Sequence, residues 1–383
     1  METVFSNAQI VTGDEVFTGS LKVVDGLIAD MDRGAAPIPG ALDCDGDYLF
    51  PGIVDLHTDN LEKHFEPRPG VTWDAVGAVV AHDGQMATAG ITTVFDSLSV
   101  YGKKGHFDRT QNLVPMLDGL RAAVEQGNVR VDHKLHLRCE VSIPGLSANL
   151  LPHADHPLLG LLSIMDHTPG QRQYRNMTED KFLEMLAAYN RTPEEIEIAL
   201  KRFHERGSMD HAEDNRALIE EVSREREIPL ASHDDETAEH IEQACDEGVT
   251  IAEFPVTLEA AKVSKERGLA VVMGAPNLLR GGSHSGNVSA ADMADVGALD
   301  ILASDYLPVS LLRAALMLTE APFNWPLPKA IATVTAAPAE AVGLYDRGRL
   351  EPGRRADMIR VSSGQGDAWP RLRETWVAGK RVA

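Results

Sequence analysis

Only three cysteines, Cys44, Cys139 and Cys245, stand in this 383-residue chain, and they lie far apart with no C-x-x-C pair. Neither a disulfide framework nor a thiolate zinc centre is expected, so any metal must be held by histidine and carboxylate. No apolar run approaches the roughly 18 residues that span a bilayer, and the first residues lack the basic, apolar, small-residue order of a secretion signal. A cytoplasmic protein is expected. Positive charge is also scarce: 36 Lys and Arg face 58 Asp and Glu, a formal net charge of −22. That balance argues against nucleic acid and membrane surfaces as partners. Low-complexity tracts are missing too, and a hydrophobic content of 43% with 32 Gly and 21 Pro is that of a globular chain.

What is present has two textures. Residues 1–49 alternate in short β-like runs punctuated by Gly13, Gly19 and Gly26, and residues 346–383 repeat the pattern in Asp357-Met-Ile-Arg-Val361 and Glu374-Thr-Trp-Val-Ala378. The two ends are expected to form one small β-sandwich-like domain. Between them, residues 50–345 alternate apolar β-runs with helical stretches, the pattern of βα units on a parallel sheet. Candidate strands end near His57, Asp96, Glu140, His167, His233, Glu253, Met273 and Asp305, which is the number that closes a TIM-like (β/α)8 barrel of the α/β class. Residues 176–227 contain an inserted helical region, since no strand separates the pair of helices from Glu179 to Arg206.

The chain is organised around Leu49-Phe-Pro-Gly-Ile-Val-Asp-Leu-His-Thr-Asp-Asn60. Side chains alternate along a strand, so Asp55, His57 and Asp59 share a face opposite Val54 and Leu56. Two such donors can chelate one divalent ion, while a solvated hairpin with a stray histidine fits the segment equally well. Leu135-His-Leu-Arg-Cys-Glu140 adds weight. Leu135, Leu137 and Cys139 can pack on outer helices, which puts His136, Arg138 and Glu140 inside, where polar groups need partners. Glu140, nearest the strand's carboxyl end, is a natural ligand, and Arg138 could hold a carboxylate such as Asp55. His82 and Asp83 fall within a helix, where a structural hydrogen bond to the first strand is expected.

Three more strand ends carry the same chemistry: His167, His233 and Asp305. In such barrels these ends meet at one mouth. Two ions bridged by Glu140, about 3.5 to 4 Å apart, would use His57, Asp59, Glu140, His167, His233 and Asp305 together.

The run Pro51-Gly-Ile-Val-Asp-Leu-His57, the strand-end His, His and Asp, and Gly348-Arg-Leu-Glu-Pro-Gly-Arg-Arg-Ala-Asp357 resemble the amidohydrolase superfamily across nearly the whole chain. Asp55-Leu-His-Thr-Asp-Asn-Leu-Glu-Lys-His64, Pro67-Arg-Pro-Gly70, Trp73, His82-Asp83 and Gly90-Ile-Thr-Thr-Val-Phe-Asp96 are similar to one branch, the α-D-ribose 1-methylphosphonate 5-triphosphate diphosphatases of phosphonate metabolism. Most of the superfamily carries His-x-His on the first strand and many members use a carboxylated lysine as the bridge. Here Asp59 replaces the second His, and Glu140 is the bridge candidate, which adds negative charge around the ions.

The resemblance implies a metal-dependent hydrolase that releases pyrophosphate from that triphosphate and leaves the 5-phosphate. Zinc is the implied ion, with manganese, iron and magnesium as alternatives. Asp305 would accept the proton of the attacking water. The substrate is a small anionic sugar phosphonate, and the cations expected to meet it are Lys63, His64, Arg68, Arg172, Arg175, Arg280 and His284, the last two in a glycine-containing loop from Ala275 to Asn287. A cyclic amidase or N-acyl amino-acid deacylase of the same superfamily is the nearest rival, and an inactive barrel serving as an assembly subunit is a rival of another class. A homo-oligomer stays open.

Overall fold

Ile91-Thr-Thr-Val-Phe-Asp-Ser-Leu-Ser99 is rich in β-branched and aromatic residues and is buried on both faces, as a strand covered on two sides must be. It is one of eight parallel strands in a computed structural model that describes residues 2–34, 38–104, 107–188, 192–207, 211–282, 286–362 and 369–383. In order they are Ile53–Thr58, Ile91–Ser99, Asp132–Glu140, Leu159–Met165, Leu230–His233, Ile251–Glu253, Ala270–Gly274 and Ile301–Ala303. The first and last meet through a Thr58 to Asp305 bridge, where Asp305 N–H donates to the His57 carbonyl at 2.9 Å and Asp59 N–H to the Asp305 carbonyl at 3.0 Å. That junction closes the ring and sets three expected ligands, His57, Asp59 and Asp305, on adjoining backbone.

Val54, Leu56, Phe95, Leu161, Val272 and Ile301 fill the inside of the barrel. Val54 and Leu56 thus do not face away from His57 as alternation predicts, because the first strand's pairing shifts register between Asp55 and Thr58. Leu135, Leu137 and Cys139 face outward onto helices, as their alternation predicts. Several helices open on side-chain caps that satisfy free amides: Asp74 accepts from Gly77 N–H at 2.7 Å, and Thr257 from Ala260 N–H at 3.1 Å. Between the fourth and fifth strands the chain inserts Glu179–Ala188 and Pro193–Gly207, paired by stacked Phe182 and Phe203 rings 4.8 Å apart.

A second sheet uses both ends of the chain, in the order Lys380–Arg381, Leu372–Val377, Met358–Val361, Tyr48–Pro51, Glu2–Val11, Val16–Val24, Leu27–Arg33. Its own core includes Phe5 edge-on to Trp376 at 4.9 Å. Gly52 N–H donates to the Asp357 carbonyl at 2.8 Å and Thr375 Oγ1 to the Ala87 carbonyl at 2.8 Å, which joins this sheet to the barrel. Among the described residues no helix is long and apolar enough to cross a membrane.

Two local expectations change. Asp96 does not end its strand, which continues to Ser99. The start of the Ala275 to Asn287 loop is instead a helix, Ala275–Arg280, with Pro276 in its first turn and Gly281 closing it at φ +71°. Proline lacks the amide that the first turn leaves unpaired, and glycine tolerates the left-handed cap, so both signs of a loop are also signs of helix ends.

Candidate active site

The carboxyl ends of the strands enclose a cavity of about 530 Å³. His57 and Asp59 reach it from the first strand, His167 from beyond the fourth, His233 from the fifth and Asp305 from beyond the eighth. Glu140 ends the third strand beside them, with Oε2 2.7 Å from His167 Nδ1 and Oε1 accepting from Ser142 Oγ at 2.6 Å. Asp305 sits at φ +55° and the neighbouring Asp234 at φ +60°, a left-handed conformation that Asp tolerates better than most residues.

Glu253 organises the floor. Fully buried at the end of the sixth strand, it accepts from His57 Nδ1 at 3.1 Å and His233 Nδ1 at 3.3 Å, and His136 Nε2 lies 3.9 Å away. Burial opposes its ionisation, yet the imidazoles of His57, His136 and His233 hold its pKa well below the usual range. Its carboxylate therefore fixes Nδ1–H on His57 and His233 and leaves Nε2 as the nitrogen with a lone pair. Burial pushes His136 down to about 3 and keeps it neutral; its Nε2 lies 2.9 Å from Ser163 Oγ. Burial likewise disfavours charge on His167, but Glu140 and Asp234 outweigh it and raise the pKa to about 9.

Imidazoles with oriented tautomers, set among carboxylates that attract positive charge, suit divalent ions. Two donor groupings face this region, His57 with His136 and Glu253, and His167 with His233 and Asp234, each with ligand atoms within 4.8 Å of one another. A third grouping, His82, Asp96 and His133, lies outside the barrel wall and is already internally paired: Asp96 meets His82 Nε2 at 2.6 Å and His133 Nδ1 at 2.7 Å. Burial works against charge on His133, but Asp96 and Asp83 carry its pKa up to about 9.

The cations expected at the mouth divide. Arg280 lines the cavity. Lys63 Nζ donates to the carbonyl of Tyr306, a lining residue, at 2.6 Å. His64 turns to Gln85 Oε1 at 2.9 Å, and Arg68 pairs its backbone with Val71 in an exposed loop. Arg172 is buried on Asp235 and the His233 carbonyl, and Arg175 lies 3.4 Å from Glu236; neither lines the cavity. His284 lies outside the described residues.

Other partnerships differ from expectation. Arg138 does not hold Asp55 but donates to His233 Nε2 at 3.1 Å, while Asp55 accepts from Ser304 N–H at 3.0 Å and is pushed by burial to about 6. His82 and Asp83 bond mainly to the second strand and to the approach to the third, through Asp96 and through Arg130 and Val131 N–H, while the Asn60 amide, just beyond the first strand, lies 3.4 Å from His82 Nδ1.

Sequence reading missed three residues. Glu253 was a recognised strand end without a role, and Asp234 directly follows a recognised ligand candidate. Arg109 gave no signal. It opens a helix and meets Glu62 with two bonds of 2.7 and 2.9 Å, with Nη2 3.9 Å from Asp59 Oδ2.

The amidohydrolase family profile matches residues 248–383. The chain is 40% identical to the α-D-ribose 1-methylphosphonate 5-triphosphate diphosphatase of Escherichia coli strain K12, over 99% of this chain and 100% of that one. A D-hydantoinase of Rhizobium radiobacter is 29% identical over 36% of this chain and 27% of its own. Among solved structures, an N-acetylglucosamine-6-phosphate deacetylase from Pasteurella multocida superposes with a TM-score of 0.65 at 13% identity, covering 100% of both chains. A 5-methylcytosine deaminase from Klebsiella pneumoniae gives a TM-score of 0.66 at 16% identity over 100% of this chain and 97% of that one. These structural likenesses show a shared fold.

Proposed function

The chain belongs to the α-D-ribose 1-methylphosphonate 5-triphosphate diphosphatase family of amidohydrolases, and from that premise we propose that its cavity hydrolyses this triphosphate to the 5-phosphate and pyrophosphate. His57, Asp59, Glu140, His167, His233 and Asp305 would hold two divalent ions, with zinc the first candidate and manganese, iron and magnesium also suited to His and carboxylate. Ions held there make water a better nucleophile at neutral pH and offset charge on phosphoryl oxygens.

The chain's own residues do the rest. Asp305 takes the proton of the attacking water. The water oxygen bonds to one phosphorus of the α–β bridge, that bridging P–O bond breaks with its electron pair on the departing oxygen so that the 5-phosphate and pyrophosphate separate, and Asp305 returns the proton. Arg109, Arg138 and Arg280, lining the same cavity, meet the phosphate oxygens, for which the guanidinium fork is well shaped. Glu253 keeps His57 and His233 in the tautomer that presents Nε2.

The observation that carries this reading is the joining of imidazoles, carboxylates and three arginines around one cavity. An inert assembly subunit has no physical use for so many buried like charges, which are costly unless compensated. The test is pyrophosphate release from the ribosyl triphosphate by wild type and Asp305→Asn. The variant keeps its fold and loses turnover at least about a hundredfold. Undiminished release removes Asp305 from this role, and turnover of a hydantoin with no pyrophosphate from the triphosphate favours the cyclic amidase.

A further inference from the structure

We propose that Arg138 is an exchangeable stand-in for a cation: it occupies the lone pair of His233 until a divalent ion takes that nitrogen, and then serves the phosphoryl oxygens of the substrate. The inference rests on the hydrolase reading above.

The hydrogen-bond directions settle which nitrogen is at issue. His233 Nε2 faces the Arg138 guanidinium, which can only donate, so Nε2 carries the lone pair and Nδ1, 3.3 Å from Glu253 Oε2, carries the hydrogen. Arg138 Nη2 lies 3.1 Å from that Nε2. The bond therefore fills the position that a metal needs, since a ligating imidazole must be neutral with its lone pair free. An ion and this guanidinium cannot hold His233 Nε2 at once.

Arg138 is otherwise poorly anchored. The guanidiniums of Arg109, Arg172 and Arg216 sit on the carboxylates of Glu62, Asp235 and Asp166. Among the described residues Arg138 has no carboxylate within ion-pair distance, and its Nε, in a side chain nine-tenths buried, has no hydrogen-bond partner. Arg172 also leaves its Nε without a hydrogen-bond partner, but its guanidinium is fixed on Asp235, so what sets Arg138 apart is the missing carboxylate. Because Arg138 lines the cavity, the displaced fork remains beside the substrate, and phosphate oxygens match the donors that His233 cannot.

The test uses wild type and Arg138→Met, with zinc affinity from chelator competition and inorganic pyrophosphate affinity of the zinc-loaded protein from calorimetry. Removing the competitor tightens zinc, and removing the fork weakens pyrophosphate, each by about tenfold or more, the scale of a charged hydrogen bond. A residue of merely structural value does not move the two affinities in opposite directions. Zinc affinity that is unchanged or weaker, or pyrophosphate affinity that is unchanged, overturns the proposal. If circular dichroism shows that Arg138→Met does not fold, Arg138→Gln carries the same measurements. A wild type that binds zinc and pyrophosphate yet releases none from the triphosphate sinks the reaction instead, leaving the role of Arg138 to the two affinities.

Discussion

Single side chains decide the chemistry because each candidate ligand imidazole depends on what holds its other nitrogen. Glu253 does this for His57 and His233 at once. An amide at that position can accept through one oxygen only, so Glu253→Gln leaves one ring in the wrong tautomer. Its zinc affinity falls by about ten- to a hundredfold, the usual effect of losing such support, as read from zinc retained after dialysis against a chelator. His133 carries a second residue-scale prediction. Asp96 and Asp83 raise its pKa to about 9 against burial, while His82, pushed down by burial, stays neutral across Asp96. A pKa raised in the folded state contributes fully below the unfolded value of about 6.5 and is lost as pH climbs through about 9. The urea midpoint of wild type therefore declines across that window, and His133→Asn, less stable at pH 7, declines less. A wild-type midpoint constant from pH 6.5 to 9 contradicts the ion pairing.

At the scale of elements, two-residue alternation did most of the predictive work. It sent Leu135, Leu137 and Cys139 to the helices and His136, Arg138 and Glu140 inward, because a strand between two covered faces has no third choice. The same constraint makes the hinge between the two sheets intolerant. A Cβ on Gly52 would run into the Thr92 side chain, including Cγ2 at 2.5 Å, on the adjoining strand. Gly52→Ala should therefore lose roughly 1 to 3 kcal/mol of stability, the typical cost of overpacking, in urea denaturation; an unchanged midpoint shows that the strands can part freely. Periodicity was silent where tertiary packing chose the partner. Arg109 sits at a helix start whose sequence gives no hint of Glu62 across the mouth, Arg172 is buried on Asp235, and Ala275–Arg280 has helix-end residues that also suit a loop.

The whole molecule explains how a chain of net charge −22 can receive a polyanion. Exposed charges beyond about 8 Å are largely screened at physiological salt, so the cavity decides, and there Arg109, Arg138 and Arg280 share the wall with Asp59, Asp234 and Asp305. Carboxylates this close to a phosphate substrate need cations to offset them. The barrel supplies the place by ending strands distant in sequence at one mouth, and for that reason most ligand candidates were legible as strand ends. Glu253 and Asp234 were not, because their use depends on neighbours that only closure of the ring provides. Metal analysis of the purified chain, coupled to pyrophosphate release before and after chelation, tests the central claim most directly. The account predicts about two divalent ions per chain, release that stops when they are stripped, and recovery on adding zinc or manganese back. Full release by ion-free protein contradicts it.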